Sequence, residues 1–304
     1  MEVRIVPIIV ALLAGVGALV TVAAQQPPVR DSRSFRASID LISVTATVTD
    51  KDGHLVAGLP REAFEIYEDG DRQTLTQFTN ERVPVGLGLL LDISDSMFGK
   101  RIADARTAVD RFLLELLAPE DECFIVAFNH QPHVLTTWTR QPDVVPGVLD
   151  TLRPSGGTAA YDAIAESLPI LEARTRARAA LLLISDGADT ASNATQRDLR
   201  SLLLRSDAFV YAIAIDSSGS QPINTRVDVQ ALRDITGETG GRTEIVQSSA
   251  DLTAATTRIA EELNSQYVLG YTSSHGADGK FHSIRVRATI PDYRVRARKG
   301  YVAQ

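Results

Sequence analysis

The chain has 304 residues, 44% of them hydrophobic, enough for one large domain or a medium domain with a smaller companion around a buried core. A formal net charge of -7 favours solubility and argues against nucleic acid as the main partner. The single cysteine, Cys123, excludes an intrachain disulfide; it lies in an apolar run and reads as a small core hydrophobe rather than a reactive thiol.

Residues 1–24 read as an export signal. Arg4 is a minimal positive start, residues 5–22 are apolar, and Val22-Ala-Ala24 offers the small residues of a cleavage site. The alternative is an uncleaved anchor, because the apolar stretch approaches the roughly 20 residues that span a bilayer; membrane contact is expected in that case alone. Either way the folded part is expected outside the cytoplasm: periplasmic, cell-surface or secreted. Residues 25–34, polar with two prolines, read as a flexible leader.

Residues 35–82 read as β. Val44, Ala46 and Val48 share one face of a first strand, Phe64, Ile66 and Tyr67 supply a second, and Leu75 and Phe78 a third. Asp52-Gly53 and Asp69-Gly70 are tight-turn signals. Over residues 83–265 strands alternate with helices. The strands are residues 85–91, 123–128, 134–137, 180–185, 208–215 and 243–246; the helices are 102–116, 159–173, 196–205, 229–236 and 250–263. Residues 85–91 and 179–184 are continuous apolar runs, as strands buried on both faces require. This order predicts an α/β, doubly wound, mainly parallel Rossmann-like sheet. Residues 266–304 return to β, with clean alternation over 283–289 and 293–298. Neither flank buries enough to stand alone, so the N- and C-terminal β segments are expected to pair into a small β-sandwich, with the α/β unit inserted between them.

The chemistry gathers at strand ends. Asp92-Ile-Ser-Asp-Ser96 closes the first apolar run, and Ser185-Asp-Gly187 closes another. Gly156-Gly-Thr158 precedes a helix for which Thr158 is a plausible N-cap. In doubly wound sheets ligands bind at the carboxyl ends of strands where the strand order reverses. If the strands of Asp92 and Asp186 are neighbours, five oxygen donors converge: Asp92, Ser94, Ser96, Thr158 and Asp186. That set suits a hard divalent cation, magnesium first, with manganese or calcium as alternatives. Two carboxylates balance the ion's charge and three neutral hydroxyls leave it electrophilic. A coordination position stays open for an Asp or Glu side chain of another protein.

These motifs resemble the metal-ion-dependent adhesion site of von Willebrand factor A (VWA) domains, with all five ligand positions in order across residues 83–265. The resemblance implies direct metal contacts from Ser94, Ser96 and Thr158. It implies that Asp92 and Asp186 bind directly or through water, switching with ligand occupancy. The flanks, with Phe64-Glu-Ile-Tyr-Glu-Asp-Gly70 and Arg296-Ala-Arg-Lys-Gly-Tyr301, resemble exported bacterial "VWFA-related" proteins of the acidobacterial type.

Other signals are weaker. His130 and His133 lack the further ligands of a zinc site and read as surface histidines. Arg285, Arg287, Arg294, Arg296 and Arg298 read as the solvated face of two strands. Asp95 is a spacer expected to point away from the ion, and Asp189 lies at most at the rim. Gly237–Gly241 reads as a helix stop. A metal-dependent hydrolase or phosphotransferase would need a nucleophile or base beside the ion; no His or Lys falls inside the ligand segments, although Lys100 is near. The expected function is therefore a non-enzymatic, cation-dependent protein-binding module. The alternatives are that hydrolase, or a scaffold held by a structural metal.

Overall fold

The computed structural model describes residues 40–304 except 142–144, 187 and 217–227. The expected export signal and leader lie outside the described residues. The first flank contributes β1 (Asp40–Thr49), β2 (Phe64–Glu68), β3 (Asp71–Gln73) and β4 (Leu75–Thr79). The central part runs β5 (Val85–Asp92), α1 (Lys100–Arg111), β6 (Glu122–Phe128), β7 (Pro132–Thr139), α2 (Val145–Leu149), α3 (Ala160–Glu172) and β8 (Arg178–Ser185). It continues with α4 (Gln196–Leu203), β9 (Phe209–Ile215), α5 (Val229–Thr239), β10 (Thr243–Val246) and α6 (Ser249–Asn264). The second flank is β11 (Tyr267–Ser273), β12 (Phe281–Ala288), β13 (Arg294–Ala297) and β14 (Gly300–Val302).

The central sheet has the order β10-β9-β8-β5-β6-β7, parallel except for the antiparallel edge strand β7. Its two faces explain the uninterrupted apolar runs. On one, Leu87, Leu89, Leu91 and Leu182 pack under α1 and α6 through Ile102, Val109, Ile259 and Leu263. On the other, Leu90, Phe124, Val126 and Leu181 pack under α3, α4 and α5 through Ile164, Leu199 and Ile235. The chain adds β6 on one side of β5 and later β8 on the other, so the order reverses between β5 and β8. These strands are paired from Val85↔Arg178 to Leu91↔Ile184, which sets Asp92 and Asp186 at adjoining carboxyl ends.

The flanks pair as expected. Strand β1 runs antiparallel to β11 and β13, and β12 runs antiparallel to β2, giving two four-stranded sheets in the orders β13-β1-β11-β4 and β14-β12-β2-β3. Val44, Ala46 and Val48 face Phe64, Ile66 and Val286 across a shared core with Tyr267, Tyr271 and Tyr301. Buried Glu68 stands in that core and accepts hydrogen bonds from Tyr271 (2.7 Å), Tyr301 (2.8 Å) and Ser273 (3.0 Å).

The structure corrects several sequence expectations. Helix α1 gives way to a π-helical segment, Phe112–Leu116, rather than running through 116 unchanged. Helix α5 passes through Gly237 and stops at Gly240, which is left-handed (φ 87°). A Cβ on Gly240 would lie 2.5 Å from the Ala297 carbonyl carbon, so the approach of β13, not helix propensity, fixes the stop. Of the five arginines, Arg285, Arg287 and Arg294 face solvent, but Arg296 and Arg298 do not. Arg296 pairs with Glu262 of α6 and donates to the Gly240 carbonyl (3.2 Å); Arg298 donates to the carbonyls of Gly300 and Leu204. Period 2 puts Arg294, Arg296 and Arg298 on one face, but Glu262 of α6 and the carbonyls of Gly240, Gly300 and Leu204 take up the last two.

Glu262 centres a buried polar junction between sandwich and α/β unit. It accepts from the Tyr211 hydroxyl (2.8 Å) and Thr47 (3.2 Å), pairs with Arg296, and lies 3.5 Å from Arg242 Nε. Gln266 donates to Tyr211 and Thr47, and accepts from Arg178, whose guanidinium also reaches the carbonyls of Val83 and Leu263. Most of the buried polar groups joining the two parts are matched donor to acceptor, while Arg242 Nε reaches Glu262 only as an ion pair and makes no hydrogen bond.

Candidate functional site

Past Asp92 the backbone keeps pairing for one residue, with Ile93 donating to the Phe128 carbonyl at 2.7 Å. The chain then turns through a short 3-10 segment, Asp95–Met97. Fully buried Met97 plugs the core beneath it, while Phe98 is left 77% exposed. The loop before α3 is stitched to three strand ends. Ser155 donates to Ile93 and Asp95 to Gly156; Ala159 donates to Asn129 beyond β6; Thr190 and Ala191 beyond β8 donate to Thr158. Gly156 (φ 77°) supplies the left-handed turn, and a Cβ there would stand 3.0 Å from His130 Nδ1.

These ties bring Asp92, Ser94, Ser96 and Asp186 together, with Thr158 held by its backbone to the segment beyond β8. The Ser94 and Ser96 hydroxyls are 2.9 Å apart, and Ser96 donates to Asp186 Oδ1 at 2.5 Å. Asp92 accepts from the Ser94 amide through Oδ1 (2.8 Å) and from the Ser185 hydroxyl through Oδ2. Asp92, Ser94, Thr158 and Asp186 are all buried. Thr158 is not the cap of α3: that position is Ala159, and the first turn is served from outside by Asp189 on Tyr161 N (2.9 Å) and Ser192 on Asp162 N (3.0 Å). The Thr158 hydroxyl makes no hydrogen bond among the described residues, which leaves it available. Asp189 is occupied with that capping, Asp95 is exposed, and Lys100 pairs with Asp104 at 2.6 Å.

The electrostatics point to a missing positive charge. Burial pushes the Asp92 carboxyl up to about 6; hydrogen bonds from Ser185 and Ser94 oppose this, and the neighbouring Asp186 charge adds to it. No cation lies within ion-pair distance of Asp92 among the described residues. The donors are carboxylate and hydroxyl oxygens, and a carboxylate offers about four lone-pair sites, of which Asp92 uses two. These residues therefore fit a hard divalent ion.

Sequence reasoning missed Arg101. Its Nη1 lies 3.1 Å from Asp186 Oδ2 and also donates to the Ser96 carbonyl. The available signal was its place in the first turn of the helix after the motif, from which side chains lean back toward the helix start. Ser185, which orients Asp92, stood beside a predicted ligand without being assigned that role. Cys123 is inert as expected: burial, with the charges of Asp121 and Glu122, pushes its thiol up to about 12. His130 and His133 join no cluster of metal-binding groups among the described residues.

Residues 87–188 match the family model for the von Willebrand factor type A domain. This stretch is similar to a VWA domain. Among solved structures, a von Willebrand factor type A protein from Catenulispora acidiphila matches 88% of this chain and 75% of its own, at 14% identity and a TM-score of 0.53. An aerotolerance-related membrane protein from Bacteroides fragilis matches 59% of this chain and 98% of its own, at 19% identity and a TM-score of 0.51. The vWF domain of the type V pili tip protein Mfa5 from Porphyromonas gingivalis matches 38% of this chain at 25% identity and a TM-score of 0.34; the chain spans 44% of its length. No curated protein sequence matches the chain. Asp92 ends β5, Ser94 and Ser96 follow it, Asp186 follows β8 and Thr158 precedes α3; among the described residues no helix is long and apolar enough to cross a membrane.

Proposed function

We propose that the chain is a non-enzymatic, divalent-cation-dependent protein-binding module. Asp92, Ser94, Ser96, Thr158 and Asp186 would hold the ion, magnesium by preference, and an Asp or Glu side chain of a partner protein would complete its shell. The observation that carries this reading is the pair of buried carboxylates at adjoining strand ends, wired to hydroxyls and short of positive charge. The exposed Phe98 supplies apolar contact area at the rim. A nucleophile or a general base beside the carboxylates would favour hydrolysis; the groups that contact the carboxylates are the Ser185 and Ser96 hydroxyls, the Ser94 amide and an arginine, so binding is the better reading.

We further place the domain borders at 35–82 and 266–304 for the two halves of the sandwich and 83–265 for the VWA domain. Residues 1–24 would direct export to the periplasm, cell surface or medium. The deciding experiment is calorimetric titration of the demetallated chain with MgCl2, followed by capture of envelope proteins in Mg2+ and in EDTA. Wild type is expected to take up Mg2+ and to retain partner in Mg2+ alone, while Asp186→Ala does neither. Capture that survives EDTA, or no uptake of any divalent ion, would overturn the proposal.

A further inference from the structure

The guanidinium of Arg101 sits where a divalent ion would exert its attraction. It lies 3.1 Å from Asp186 Oδ2 and donates to the Ser96 backbone carbonyl, so it grips two of the three segments that supply ligands. The other oxygen of Asp186 accepts from Ser96 Oγ at 2.5 Å. The Asp186 side chain is fully buried, while that of Arg101 is 27% exposed: the arginine reaches in from the rim along α1 and keeps room to withdraw. Arginine stays protonated at any relevant pH, so its charge cannot be shed when a second cation arrives.

We propose that Arg101 is a built-in competitor for Asp186 that sets how tightly the site takes up a divalent cation. This rests on the reading of Asp92, Ser94, Ser96, Thr158 and Asp186 as a cation site. Two carboxylates and one guanidinium leave the site with a single negative charge. A divalent ion reverses that to a single positive one, which disfavours uptake relative to a site without the arginine. The same reversal favours an anionic group as the next ligand, in keeping with a partner carboxylate. The guanidinium must release Asp186 Oδ2, or share it, as the ion binds, and its partial exposure lets solvent take over the freed donor.

The test is calorimetric titration of MgCl2 into the full chain as wild type, Arg101→Gln and Arg101→Lys, with thermal melts in EDTA and in saturating Mg2+. Arg101→Gln is expected to bind Mg2+ about tenfold more tightly. Arg101→Lys keeps the charge but loses the fork that holds Asp186 and the Ser96 carbonyl together, and should fall between. In EDTA the Gln variant should melt below wild type, because Asp186 has lost its counter-charge, and Mg2+ should close that gap. An arginine that merely braces the fold would lower the melting temperature equally in both conditions and leave affinity unchanged or weaker; either result overturns the competition. If wild type and Arg101→Gln both bind Mg2+ with equal affinity, the competition alone fails. If neither binds, the cation reading fails and takes the competition with it.

Discussion

Glu262 and Asp92 are both fully buried carboxylates, yet their surroundings differ in kind. Glu262, at the junction with the sandwich, is held by Arg296, Arg242, Tyr211 and Thr47, so its charge is neutralised within the molecule. Asp92, at the carboxyl end of β5, is held by the Ser94 amide and the Ser185 hydroxyl and has a second carboxylate beside it. Burial of a carboxylate is tolerated in both places, but only one of them is balanced. A well-paired network marks a structural joint, and a buried surplus of negative charge is what the proposed cation would offset.

That contrast breaks most readily at the joint. Glu262→Ala leaves Tyr211 without its acceptor and Arg296 without its counter-charge, and should destabilise by about 3–5 kcal/mol in denaturant unfolding. A loss near zero would mean the junction is not a well-paired network. The same measurement on Asp92→Asn in EDTA at neutral pH should give the opposite sign, a gain of about 1–3 kcal/mol, with Mg2+ uptake abolished. The Asp92 carboxyl titrates near 6 in the fold against 3.8 as its ordinary value. A raised carboxyl penalises folding fully above the folded value and not at all below the unfolded one. Metal-free wild type should therefore gain stability as pH falls through that window, and Asp92→Asn should lack this gain. Equal pH profiles would remove the argument for uncompensated charge.

A third, smaller test uses the sandwich, where His282 lies between Asp69 (2.8 Å) and Asp278 (3.2 Å). Burial pulls the imidazolium down, but the hydrogen bonds and charges of the two aspartates outweigh it and raise its pKa above 6.5. A raised histidine contributes stability that is complete below the unfolded value and lost as pH rises through the folded one. Melting temperature should thus fall as pH rises above 6.5, and His282→Gln should flatten that fall. A profile unchanged by the substitution would show that the aspartates do not bind a charged ring. The smallest expected effect on stability belongs to Phe98→Ala, within about 0.5 kcal/mol because the ring is exposed. If Phe98 lies in the partner interface, this variant should weaken partner capture in Mg2+ without altering Mg2+ uptake; unchanged capture would remove it from the interface.

Much of this architecture was legible from residue patterns. The unbroken apolar runs ending at Leu91 and Ile184 announce strands covered on both faces, and the alternation of Val44, Ala46 and Val48 announces a one-sided strand; both follow from repeat lengths of the backbone itself. Asp92, Ser94, Ser96 and Asp186 were legible because they sit within a few residues of those strand ends, and Thr158 because it follows a Gly pair at the start of a helix. Arg101 on Asp186, Arg296 on Glu262 and the stop of α5 at Gly240 were not. Each depends on elements far apart in sequence: β8 lying against β5, α6 against β13, and the Ala297 backbone against Gly240.

Sequence by itself determined the layering, the insertion of an α/β unit between two β flanks, and the cluster of oxygen-bearing side chains at strand ends, because these arise from periodicity and short-range spacing. Tertiary structure alone decided which charges are balanced and which are not. Coulomb interactions depend on distance through space and on burial, and neither is written in the order of residues along the chain.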